Sequence, residues 1–177
     1  WGSHPRPDPE WEALGVEPPD PDDEPSAKDP IEMEESTDFA FAPTHPVADG
    51  EIVSVAGLTF TAVHTPGHTS NHTCWALAEE QALFTGDHIM GWSTTVVSPP
   101  DGDMAAYIDS LRKVAARDDS VLWPTHGPPR HDAHDYVPAL VEHRLQREAS
   151  VLAAVQAGRT SIRDIVEVLY ADVRKEL

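Results

Sequence analysis

The chain has 177 residues and is 40% hydrophobic, with 12 Lys and Arg against 31 Asp and Glu for a formal charge of −19. That length can bury a core of one domain with a small appendage, and the acidic balance repels phosphate backbones and disfavours nucleic-acid binding. Cys74, the single cysteine, excludes an internal disulfide, and no apolar run approaches the roughly 20 residues that span a bilayer. A cytoplasmic protein is the expectation.

Residues 1–46 read as an acidic, proline-rich linker or long loop. Pro5, Pro7, Pro9, Pro18, Pro19, Pro21, Pro25 and Pro30 interrupt any helix, and Asp20, Asp22, Asp23, Glu24, Glu32, Glu34 and Glu35 repel one another. The alternative is an acidic flap pinned by Trp11 and Leu14. From Pro46 the pattern changes to short apolar runs between turns: Glu51 to Val55, Leu58 to His64, Thr73 to Leu77 and Ala82 to Phe84, an antiparallel or mixed sheet. Asp103 caps a helix with Met104, Ile108, Leu111 and Val114 or Ala115 on one face. A strand at Ser120 to Trp123 follows, then a long helix from about Asp135 to Ala157, with Pro138 in its first turn and Gly158 as its stop. Thr160 or Ser161 caps a last short helix with Ile162, Ile165, Val166 and Leu169 facing inward. Helices alternating with strands imply an α/β (α+β) fold with helices packed on a sheet. Cys74, within a strand, reads as a buried small hydrophobe.

Three strand ends carry the chemistry. His64-Thr65-Pro66-Gly67-His68 follows the second strand, Gly86-Asp87-His88 the fourth, and Trp123-Pro124-Thr125-His126-Gly127 the fifth. His68 and Asp87 lie 19 residues apart and Asp87 and His126 lie 39 apart, each interval room for an element and its loops. Any one of these residues alone is as readily a turn residue. All three in such contexts point to a metal site, because imidazole and carboxylate are the ligands expected for zinc and related hydrolytic ions. Asp87, able to bridge two ions, takes the central and catalytic place. His72 and His88 are candidates for orienting these ligands from behind, or are simply satisfied polar residues. His64 reads as a packing or hydrogen-bonding residue, and His131 and His134 as surface residues. Trp92, Ser93, Thr94 and Thr95 either line a substrate pocket or make a turn with core contacts.

Taken together, His64 to His68, Gly86-Asp87-His88, Gly91 to Val97, Trp123 to Pro128 and His143-Arg144 resemble the later motifs of metallo-β-lactamase-fold hydrolases. Within them the resemblance is nearest to the glyoxalase-II-like and β-lactamase-like protein 2 group. The resemblance implies an αββα sandwich of which residues 47–134 are the C-terminal half and residues 135–177 the long helix and the start of a helical appendage. It implies that His68 binds a first metal, Asp87 bridges, and His126 binds a second. The cofactor implied is a pair of Zn2+ ions, with iron or manganese also compatible.

The same resemblance calls for an upstream His-x-His-x-Asp-His motif, which this sequence lacks; His4 and His45 are isolated. Each metal would keep two ligands from this chain, one of them shared. The upstream half of the fold is therefore an expected partner, together with a small-molecule substrate, and the sheet is expected to expose apolar surface. The function implied is a hydrolase that directs a metal-bound hydroxide at an ester, thioester or amide-type bond. The rivals are an endoribonuclease of the same fold and a non-catalytic fragment that binds a partner.

Overall fold

The computed structural model describes residues 42–170, of which Thr44–Leu169 form one compact unit. The proposed acidic leader falls almost wholly on residues 1–41 and so lies outside the described residues, as do Trp11 and Leu14. Strands β1 (Ile52–Val55), β2 (Leu58–His64), β3 (Thr73–Leu77), β4 (Ala82–Gly86) and β5 (Val121–Pro124) form one sheet in sequence order. Helix α1 (Met104–Ala115) lies between β4 and β5, and α2 (Ala133–Gln156) and α3 (Ile162–Leu169) close the order.

The first four strands pair antiparallel, while β5 returns parallel to β4 through α1. A parallel return needs a crossover, which the helix supplies. This topology makes β2, β4 and β5 run in one direction. His68, Asp87 and His126 each follow one of these three strands, so all three loops leave the same end of the sheet.

Strand register sorts the apolar residues onto two faces. Val63 pairs with Cys74, Ala76 with Leu83, and Leu83 with Leu122, and all of these are buried against α1 and α2. Tyr107, Leu111 and Val114 of α1 and Val137 and Leu140 of α2 complete that core. Each large aliphatic side chain buried here contributes about 1.5–3 kcal/mol. Ala62, Trp75, Phe84 and Trp123 form a row across the opposite face. There Phe84 and Trp123 are 40% and 44% exposed, and Phe60 packs on Phe84 with ring centroids 6.2 Å apart. The expected exposed apolar surface is therefore present at Phe84 and Trp123, while Ala62, Leu77 and Ala82 on the same face are buried.

Asp103 caps α1 as expected, its carboxylate accepting from Ala106 N at 2.9 Å. The buried stripe differs by one position: Tyr107 is inside and Met104 is partly exposed. Helix α2 starts at Ala133, two residues earlier than predicted, so Pro138 is its sixth residue rather than part of its first turn. Asp132 does not cap it, because Arg130 holds that carboxylate in two hydrogen bonds. In α3, Ser161 caps as anticipated, through Asp164 N at 3.1 Å. Its apolar face is only partly inward: Ile165 and Leu169 are half-buried, while Ile162 and Val166 are exposed.

Cys74 is fully buried, and desolvation pushes its thiol up to about 12, while a hydrogen bond with Thr65 acts weakly in the opposite direction. The reactive thiolate is therefore absent near neutrality. A disulfide-exchange reagent at pH 8 is expected to leave the native protein untouched and to titrate one thiol after denaturation. Rapid labelling of the native protein would contradict this burial.

Candidate metal centre

The His68 loop between β2 and β3 is fixed from both sides. Thr65 N donates to His72 O at 2.9 Å, closing its base. Helix α1 holds its tip: Asp103 N donates to Gly67 O at 2.9 Å and Ser110 Oγ donates to Pro66 O at 2.7 Å. Gly67 has φ +138°, and a β-carbon there would fall 2.3 Å from Tyr107 Cα. Only glycine allows the loop to lie this close to the helix.

Beyond this turn His68 gives its Nδ1–H to the Val96 carbonyl at 2.6 Å, which fixes the ring and leaves Nε2 as the available lone pair. That Nε2 lies 3.9 Å from Asp87 Oδ2, and His126 Nε2 lies 3.5 Å from Asp87 Oδ1. Each carboxylate oxygen therefore faces a different imidazole nitrogen. Asp87 Oδ1 is buried and has no hydrogen-bond partner among the described residues. His126 is delivered by cross-bonds between its loop and that of Asp87: Thr125 N donates to Gly86 O at 3.2 Å and Gly91 N to His126 O at 2.9 Å.

The donors fit divalent ions of the zinc class: two ring nitrogens, that of His68 oriented by Val96, with a carboxylate between them whose inner oxygen lacks a hydrogen-bond partner among the described residues. Among the described residues, no three His, Cys, Asp or Glu side chains are grouped to hold one ion. The three side chains instead make two separate His–Asp contacts that share Asp87.

His72 sits between this centre and the core. Its Nδ1 lies 2.9 Å from Thr65 Oγ1 and its ring meets that of His68 edge-on, centroids 6.4 Å apart. Its Nε2 occupies the space beside Gly86, 2.8 Å from where a β-carbon would be. Burial, reinforced by His68, lowers its pKa. His88 is fully buried against Tyr107, with ring centroids 5.0 Å apart, and neither ring nitrogen has a hydrogen-bond partner among the described residues. Desolvation and then His72 bring His88 down to about 3, with the Ser110 backbone acting slightly the other way, so this imidazole is neutral. His64 is exposed, its Nε2 3.2 Å from Ser70 O, and His131 and His134 are exposed.

The segment read as a pocket wall divides. Trp92, Ser93 and Thr94 are exposed, with Trp92 lying against Gly127 next to His126. Thr95 is buried, and its hydroxyl reaches Asp87 O at 2.7 Å and His88 O at 3.0 Å. Tyr107 Oη donates to the same His88 carbonyl at 2.9 Å. Thr95 and Tyr107 thus hold the backbone that carries Asp87. Nothing in spacing or composition marks a threonine eight residues on as a support for an acid.

Comparison with known proteins gives the family. The chain belongs to the metallo-beta-lactamase superfamily, whose pattern matches residues 3–126. It is 37% identical over 136 residues to the atrochrysone carboxyl ACP thioesterase AacuM of Aspergillus aculeatus, covering 71% of this chain and 42% of that protein. It is 34% identical over 140 residues to the lactamase-like protein notP of Aspergillus sp., covering 72% of this chain and 42% of that protein. Among solved structures it resembles a metallo-beta-lactamase family protein from Thermus thermophilus at 29% identity and a TM-score of 0.52, covering 61% of this chain and 37% of that one. A beta-lactamase domain protein from Burkholderia ambifaria shares the fold at 23% identity and a TM-score of 0.58, covering 65% and 38% respectively. The chain spans about two fifths of the length of the curated relatives it matches. No helix among the described residues is long and apolar enough to cross a membrane.

Two substitutions test this support. Thr95→Val keeps the shape but leaves Asp87 O without this donor, and is expected to cost about 1–3 kcal/mol in urea unfolding. Gly67→Ala forces a β-carbon into the α1 backbone and is expected to cost more than about 2 kcal/mol in the same measurement. Wild-type midpoints for both would remove the supports described here.

Proposed function

We propose that this chain supplies half of a binuclear metal centre in a hydrolase of thioester or related acyl bonds. One observation carries the reading: the Asp87 carboxylate offers one oxygen toward His68 Nε2 and the other toward His126 Nε2. His68 and Asp87 would hold a first ion, and Asp87 and His126 a second, zinc being the first candidate and iron or manganese the alternatives. Bound there, such ions would acidify a coordinated water and polarise the bond to be cut. The remaining ligands would come from an upstream segment of the same fold, in accord with the fraction of the relatives' length that this chain spans and with the open face bearing Phe84 and Trp123. A glyoxalase-II-like subgroup and a small-molecule acyl substrate complete the proposal. The thioesterase names of relatives support the choice of bond.

This chain's own residues orient and shield. Val96 O fixes which nitrogen His68 presents, and Thr95 and Tyr107 fix the backbone of Asp87. Trp92 beside His126 gives the approach an apolar wall. Asp87 itself would set the spacing of the two ions and so the placement of charge during reaction.

In the full-length protein, Asp87→Ala is expected to lower bound transition metal by at least one equivalent per chain, measured by elemental analysis. It is also expected to reduce acyl-thioester hydrolysis about 1,000-fold or more, as loss of a central electrostatic group does. Full metal content in the variant would exclude Asp87 as a bridge. Cleavage of single-stranded RNA without thioester turnover by the wild-type protein would transfer the assignment to a nuclease.

A further inference from the structure

Arg144 lies near the middle of α2, far along the chain from every candidate ligand. Its guanidinium Nη2 donates to the Thr95 carbonyl, and its Cζ stands 5.3 Å from the centroid of the Tyr107 ring. Nε is buried without a partner among the described residues. The position of Thr95 gives the contact its meaning. Its hydroxyl reaches the Asp87 carbonyl at 2.7 Å, and the next carbonyl along the chain, that of Val96, takes the Nδ1–H of His68 at 2.6 Å. One dipeptide therefore touches two of the three ligand positions, and the side chain that grips it comes from α2.

We infer that Arg144 is a positioning residue for the metal centre, acting through Thr95 and Val96 to set both the His68 ring and the Asp87 backbone. A charge-assisted bond to a carbonyl is the stronger kind, and the stacking of guanidinium on Tyr107 limits its freedom. Tyr107 in turn donates to His88 O, beside Asp87, so the arginine acts on the same short loop by two routes. Val96 is exposed and no regular element holds it. Without Arg144 the Val96 carbonyl would be free to leave His68, and either ring nitrogen of His68 could then carry the proton. The inference rests on the proposal that His68 and Asp87 bind metal, but the His68 hydrogen bond can be read without any ion.

The test uses Arg144→Met in the full-length protein, with Co2+ as the probe and nitrogen NMR of the His68 ring in metal-free protein. Co2+ affinity is expected to weaken about 10–100-fold, as on loss of groups that orient ligands. The His68 signal is expected to pass from a fixed Nδ1–H tautomer to exchange between tautomers. Arg144→Lys, which keeps a charged donor, is expected to recover part of both, and His143→Ala, on the exposed side of the same turn, to leave both unchanged. Unaltered Co2+ affinity and an unaltered His68 signal would overturn the inference even if the melting temperature fell, since the arginine would then serve packing alone. Wild-type protein that takes up no Co2+ would remove the metal reading, while the His68 signal would still decide the role of Arg144. If Arg144→Met fails to fold, Arg144→Gln replaces it under the same two measurements.

Discussion

A carboxylate with an imidazole nitrogen 3.5 Å from one oxygen and another 3.9 Å from its second is not a resting arrangement for three untethered polar groups. Left free, each side chain would turn to water. Here the backbone behind each is tied: Gly67 and Pro66 to α1, Asp87 to Thr95, and the Thr125–His126 segment to Gly86 and Gly91. Hydrogen bonds worth about 1 kcal/mol apiece, made together, hold the three loops in one register. Much of the molecule can be read as the means of keeping those loops in place. The sheet gives their common direction, α1 clamps the first, and the loop that follows Asp87 clamps the second.

The architecture was largely legible because its signals are local. Alternating apolar residues bounded by Gly and Asp-Gly turns gave β2 and β3 to the residue, and Asp103 before a 3.6-residue repeat gave α1. The errors fall where a tertiary contact decides. Tyr107 rather than Met104 goes inside because its hydroxyl has a carbonyl to reach, at His88. Ile162 was placed inward on periodicity alone, which says which residues share a face but not whether anything covers it.

For the site, the meeting of His68, Asp87 and His126 was readable from residue type and turn context, since a Pro-Gly before histidine or a Gly before aspartate fixes where a side chain emerges. The supports were not readable. Thr95 looks like one hydroxyl in a hydroxyl-rich loop, and Arg144 like one cation on a long helix. What distinguishes them is a bond to a backbone carbonyl remote in sequence, and any residue can offer such a carbonyl. His88, next to Asp87 in sequence, read either as a residue orienting the ligands or as a satisfied polar residue. In space its ring lies in the core against Tyr107, since successive residues at the turn point to different sides.

The shared heading of β2, β4 and β5 divides the sheet into unlike poles. At one lie all the chemistry-bearing turns. At the other lie the Ala56-Gly57 hairpin, the short 3-10 turn Ala78–Glu80 and the link from α1 into β5, joined by Ser120 N donating to Gln81 O. These connections sit a full strand length from Asp87 and carry none of its supports. The remote pole is thus where a fluorescent label, an affinity tether or an inserted loop would be borne with least disturbance to the opposite end.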